Sequence, residues 1–135
     1  PNVTDITEIA KAVEAVGADS ISLINTITGM RIDVQKMKFC VANKTGGLSG
    51  SAIKPIALRM VYQVCHAVKI PVIGMGGIAT INDVLEFIMA GATGIAIGTA
   101  NFNNPFVMPE IISELSKYME ENNIETLDEI RGIVG

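Results

Sequence analysis

The chain has 135 residues, 49% hydrophobic and 18% charged, with a formal net charge of -4. This composition supports one domain with a packed core and excludes a disordered chain, and the acidic balance argues against a nucleic-acid surface. Polar or charged residues interrupt every apolar run before the ~18 residues that a membrane helix needs, and Cys40 and Cys65 lie far apart with no paired spacing, so free thiols, no membrane partner and a cytoplasmic location are expected.

Asp5 reads as a helix N-cap, with Glu8 three residues on as its capping-box partner. Ile6, Ile9, Ala10 and Val13 follow at helical spacing, and Gly17 ends that helix. Ser20–Asn25 reads as a strand. A long connection then runs from Thr26 to about Ala52. Within it, Met30–Val34 and Phe39–Val41 predict a small hairpin, and the Thr45–Gly50 segment is expected to hold no regular structure. Excursions longer than about 12–15 residues in a compact domain are usually functional.

A second helix is predicted over Pro55–Val68, with Ile56, Met60, Val64 and Val68 at four-residue steps. Ile70–Gly74 is the next strand. Thr80 caps a third helix whose apolar face is Ile81, Val84, Leu85, Ile88 and Met89, and Gly91 closes it. Gly94–Gly98 is a third strand. Asn103, Asn104 and Pro105 break the chain before a helix over Pro109–Glu121. A last short helix starts at Thr126, with Glu129 at the capping-box position.

Two turns in this order stand out. Gly74-Met75-Gly76-Gly77-Ile78 and Gly98-Thr99-Ala100 each follow a short apolar strand. Consecutive strand–glycine-loop units of this kind build the phosphate site after the seventh and eighth strands of a (β/α)8 barrel. Backbone N–H groups must approach the phosphate closely, and a Cβ would block them. Residues 17–26 also echo residues 91–99: a helix end, a strand, then a threonine. Such repetition argues for a parallel α/β array. Three strands are too few to close a barrel of eight, which needs about 250 residues. The expected fold class is therefore α/β, the C-terminal half of a (β/α)8 barrel, with residues 1–135 forming a single partial domain.

Four segments give the chain a specific resemblance. These are Asn25-Thr26; Gly46-Gly47-Leu48-Ser49-Gly50 running on through Ala52-Ile53-Lys54-Pro55; Gly74–Ile78; and Gly98-Thr99-Ala100-Asn101-Phe102 with Asn104-Pro105. In this order and spacing the chain resembles the C-terminal half of the dihydroorotate dehydrogenases, in particular the cytosolic NAD-linked class. The resemblance implies FMN as cofactor and oxidation of dihydroorotate to orotate in pyrimidine synthesis. It implies FMN-phosphate contacts at Gly76, Gly77, Gly98 and Thr99, another flavin contact at Gly50, and Ile24 beside the isoalloxazine. Asn25 and Thr26 match the pair that binds dihydroorotate or orotate; an amide offers donor and acceptor to a ring of alternating N–H and C=O groups. The implied partner is an electron-transfer subunit carrying FAD and a 2Fe-2S cluster.

Ser51 stands where the family often has proline. The resemblance places the catalytic base, a cysteine in this class, in the N-terminal half, and a flavin-contacting lysine just before Pro1-Asn2. Neither Cys40 nor Cys65 matches the base, so no catalytic residue is assigned to this chain and the fragment alone is expected to be inactive.

Blander readings stand beside these. Glycine turns are common, Asn25 could cap its own turn, Thr26 could satisfy its own loop backbone, and Gly50 could serve only a positive-φ turn. His66 suits a helix C-terminus, Cys65 beside it points elsewhere on the helix, and Cys40 reads as a small hydrophobe. No cluster has metal-ligand spacing. Another phosphate-binding barrel enzyme stays open as an alternative. So does a non-catalytic half-barrel that self-associates, since open sheet edges and an uncovered apolar face seek a partner; a homo-oligomer is expected.

Overall fold

The computed structural model describes residues 3–135; Pro1 and Asn2, on which the resemblance upstream rests, lie outside them. Helix α1 (Ile6–Ala15) leads into strand β1 (Ile21–Leu23). The excursion follows as β2 (Ile27–Met30), β3 (Ile32–Asp33), β4 (Lys38–Phe39) and β5 (Thr45–Leu48). A 3-10 turn at Ser51–Ile53 runs into α2 (Lys54–Cys65), then β6 (Val72–Met75), α3 (Ile81–Met89) and β7 (Gly94–Ala96). Helices α4 (Ala100–Asn103) and α5 (Val107–Glu121) and a 3-10 turn at Leu127–Glu129 complete the chain.

Strands β1, β6 and β7 form one parallel sheet in the order β1-β6-β7. Ile21 pairs with Val72 and Leu23 with Gly74, while Ile73 pairs with Gly94 and Met75 with Ala96. Parallel neighbours need a helical crossover, which α2 and α3 supply. All three strands therefore end on the same side of the sheet. The core lies between the sheet and the helices, with Phe87, Val61 and Val64 fully enclosed. A Cβ on Gly74 would sit 2.6 Å from Phe87 Cδ1, so the central strand is bare where that ring lies against it.

The caps explain where the helices begin. Asp5 accepts from the Thr7 N–H at 2.9 Å and from the Thr7 hydroxyl at 2.7 Å. Thr80 and Asp83 form a reciprocal capping box at the start of α3. Thr126 and Glu129 form another, but it opens only a single 3-10 turn rather than a helix. Pro109 sits inside the first turn of α5, where a missing N–H leaves no bond unmade, so that helix starts at Val107 instead of at the proline. Helix α2 stops at Cys65, not Val68: the His66 N–H still reaches the Tyr62 carbonyl at 3.2 Å, but the Ala67 N–H tightens onto the Val64 carbonyl three residues back at 2.9 Å.

The excursion departs most from the sequence reading. Thr45–Leu48 is a strand, paired antiparallel with Ile27–Met30. Long-range backbone pairing holds this segment despite its two glycines, a tertiary effect that local propensity does not carry. The predicted hairpin survives only as Ile32–Asp33 against Lys38–Phe39, with Asp33 accepting from the Gln35 and Lys36 N–H groups in its turn. Cys40 lies exposed on this excursion rather than among apolar neighbours, because the two short ladders leave it outside the core. Ile9, Val13 and Ile56 are also left partly uncovered on α1 and α2, although the spacing assigns them to apolar faces.

Phe87→Ala removes the largest enclosed side chain and is expected to cost about 3–5 kcal/mol. Urea unfolding of the protein measures it, and a loss below about 1 kcal/mol would show that the core is not centred on this ring.

Candidate functional site

The shared polarity of β1, β6 and β7 brings the segments that follow them to one end of the sheet, where they surround a cleft of about 310 Å³. The β6–α3 turn contributes Met75 to Ala79, and the β7–α4 turn contributes Ala96 to Ala100. The junction into α2 adds Ser49, Gly50, Ser51 and Ile53, and Ile24 and Thr26 close the side after β1. The Ile24 N–H donates to the Met75 carbonyl at 3.1 Å, extending the β1–β6 pairing to the cleft floor. The Leu23–Ile24 peptide is cis.

The four glycines at the cleft are glycine for different reasons. Gly76 has φ +131°, and a Cβ there would stand 2.6 Å from the Ala57 Cβ. Gly77 has φ +75°, and its Cβ would stand 2.7 Å from the Gly50 carbonyl oxygen and 2.9 Å from the Lys54 nitrogen. Both are demanded by backbone conformation and packing. Gly50 has φ +89° but no crowding. Gly98 has neither a left-handed backbone nor any atom within 4 Å of a Cβ built on it. A side chain at Gly98 would extend into open space beside the cleft that the residue lines.

Polar contacts fix the cleft walls to one another. The Thr99 hydroxyl donates to Ser49 Oγ at 2.8 Å. The Asn101 amide donates to the Ile97 and Gly98 carbonyls at 2.8 and 3.0 Å and holds the β7–α4 turn closed. Beyond the other wall, Lys54 Nζ lies 2.6 Å from Asp83 Oδ1 and 3.0 Å from Glu86 Oε2. The second Asp83 oxygen accepts from the Ala79 and Thr80 N–H groups, each at 2.9 Å. Burial pushes the Asp83 carboxyl up, but the Lys54 ammonium and these N–H donors outweigh it and hold the group below its ordinary value. The same carboxylates, Asp83 first and then Glu86, raise Lys54 above its own.

Of the eight residues singled out in the sequence, Ile24, Thr26, Gly50, Gly76, Gly77, Gly98 and Thr99 all line this cleft. Asn25 does not. It opens on a neighbouring hollow of about 280 Å³ that shares Ile24 as a wall. Its side-chain oxygen accepts from the Thr26 N–H at 2.7 Å, which is the local turn bond of the blander reading. His66 and Cys65 are remote from both spaces: His66 Nδ1 lies 2.8 Å from the Tyr62 carbonyl, and burial pushes the Cys65 thiol up to about 11.

The family model for dihydroorotate dehydrogenase matches residues 1–119. The chain belongs to the dihydroorotate dehydrogenase family. Among its relatives are catalytic subunits of dihydroorotate dehydrogenase B (NAD(+)). The one from Lachnoclostridium phytofermentans is 60% identical over 134 residues, 99% of this chain and 45% of the relative. Those from Alkaliphilus oremlandii and a Geobacillus species are 61% and 59% identical, each over 98% of this chain and 44% and 42% of the relative. The chain thus spans about half the length of the curated relatives it matches. Its parallel strands alternating with helices are the corresponding half of a (β/α)8 barrel. No helix among the described residues is long and apolar enough to cross a membrane.

The roles of Asp83, Asn101 and the Lys54 side chain in this family member are not legible from sequence alone. Asp83 carried one usable signal: it stands three residues after Thr80, the spacing of a capping box. Nothing local signals that its other oxygen meets Lys54, 29 residues away.

The Asp83 carboxyl lies below its unfolded value of about 3.9, so its contribution is complete above that value and is lost as pH falls through the folded one. Asp83→Asn is therefore expected to cost about 1.5–3 kcal/mol at pH 7, with the gap smaller at about pH 3. Urea unfolding at the two pH values checks it; an undiminished gap at the lower one would trace the loss to cap geometry rather than charge.

Proposed function

We propose that this chain forms the phosphate-holding half of the FMN site of an NAD-linked dihydroorotate dehydrogenase. The observation that carries the reading is Gly98. Neither the packing of the described residues nor the backbone conformation requires a glycine there, which leaves the space at the cleft as the physical reason we assign to it. Gly76 and Gly77 line the same cleft from the next turn, so bare backbone from two adjacent strand ends borders one space. Such a cradle fits a phosphate, which backbone N–H groups recognise without a cationic side chain.

When bound, FMN supplies the hydride acceptor for the conversion of dihydroorotate to orotate. Gly76, Gly77, Gly98 and Thr99 would hold its phosphate, and Gly50 would leave room for the flavin where the chain turns into α2. Ile24, buried at the end of β1, offers an apolar surface to the ring. Asn25 and Thr26 would address the alternating donors and acceptors of the pyrimidine, with the Thr26 N–H orienting the Asn25 amide. Neither Cys40 nor Cys65 lines the cleft, which fits the family resemblance, by which the base that takes the substrate proton is a cysteine of the other half of the barrel.

The printed names of the relatives, catalytic subunits, support a separate partner subunit; we assign it FAD and a 2Fe-2S cluster for electron transfer. Two free cysteines fit a reducing compartment, the cytoplasm. The outer edges of β1 and β7 have no strand beside them among the described residues, which supports association of this chain, taken by itself, with further copies.

Gly98→Val is the decisive variant, made in the natural full-length polypeptide that carries this sequence. It is expected to purify folded, with unchanged circular dichroism, but to weaken FMN binding by at least about tenfold, read by flavin fluorescence titration. FMN binding at the unmodified level would remove the reading. In sedimentation velocity the 135-residue chain on its own is expected to run as a dimer or larger, and a stable compact monomer at micromolar concentration would refute the homo-oligomer.

A further inference from the structure

Lys54 does not line the cleft, yet it stands behind two of its walls. Its backbone nitrogen and Cβ are both 2.9 Å from where a Gly77 Cβ would be, so the β6–α3 turn rests directly on the first residue of α2. Its ammonium reaches across to α3, 2.6 Å from Asp83 and 3.0 Å from Glu86. Asp83 then grips the other end of the same turn through the Ala79 and Thr80 N–H groups. One carboxylate therefore ties together the segment leaving Gly77 and the helix that carries the Gly50–Ile53 junction at its start.

We propose that Lys54 and Asp83 are positioning residues that set the spacing of the phosphate cradle by clamping the Gly76–Gly77 turn to the start of α2. The inference rests on the FMN-phosphate reading above. The Lys54 side chain is 24% exposed and that of Asp83 13%, so the pair is well shielded from water but not sealed, and its attraction is stronger than that of a surface pair. Opposite the clamp, the Thr99–Ser49 hydrogen bond ties the second glycine turn to the segment before α2. Each glycine turn is thus pinned to the same neighbouring connection. A cradle made of backbone N–H groups has no flexible side chains to absorb a misplacement, so its spacing must be imposed from behind.

Lys54→Met keeps the aliphatic stem against Gly77 and removes the link to α3. The test compares binding of FMN with binding of riboflavin, which has the same ring and ribityl chain but no phosphate. In full-length protein, Lys54→Met is expected to weaken FMN by about tenfold while riboflavin stays within about twofold. Lys54→Arg, which can bridge both carboxylates, is expected to recover most of the loss. Equal weakening of both flavins would show a general structural role and overturn the proposal, as would unchanged FMN binding. An unmodified protein that holds FMN no more tightly than riboflavin would overturn the phosphate reading itself, a result separable from any effect of Lys54.

Discussion

Everything at the cleft depends on how closely the β6–α3 turn approaches the start of α2. Gly77 lies so near the Gly50 carbonyl and the Lys54 backbone that any side chain would push the two segments apart. Gly76 rests equally close on Ala57 of the same helix. This contact lets a turn from the central strand and a junction from the excursion share one wall. The parallel sheet supplies the direction, since every strand ends on the same side, but the contact supplies the distance. The Lys54–Asp83 pair then holds it from the outside, because two turns touching through glycines bury little apolar surface to hold themselves together.

The parts legible in the sequence share a physical property: their signals are local. The apolar spacing of Val84, Leu85 and Ile88 marks α3, and Thr80 marks its beginning. Short apolar runs before Gly74 and Gly98 mark strands that end near the cleft. The glycine turns could be placed at one site because a parallel α/β order forces successive strand ends together. Those inferences need only periodicity, caps and a handedness rule.

What stayed hidden depends on residues distant in sequence. The β2–β5 ladder joins Ile27 to Leu48 and Met30 to Thr45. Its second strand contains two adjacent glycines, so no propensity announces it. Gly47 has its own reason for being glycine: a side chain there would strike the Thr26 hydroxyl. The excursion is thereby tied to the residue that enters the cleft after β1, a connection invisible until both strands are in place. Asn25 opens on a different space from its neighbours for a simpler reason. Successive residues in extended chain point to opposite sides, so Ile24 and Thr26 share the cleft while Asn25, between them, opens on the hollow beyond.

The glycines also show why residue type alone is a weak guide to a ligand. Gly76 and Gly77 would be glycine with or without a phosphate, because the turn cannot form otherwise. Their presence therefore describes the scaffold, however suggestive the motif. Gly98 differs: a methyl group there would meet none of the described residues beyond its sequence neighbours within 4 Å, and its backbone is not left-handed. A residue that the fold leaves unconstrained but that borders the cleft is where a ligand's demands separate from those of packing. The structure thereby shifts the weight of the functional argument from the double glycine, which is the more conspicuous in sequence, to the single one across the cleft.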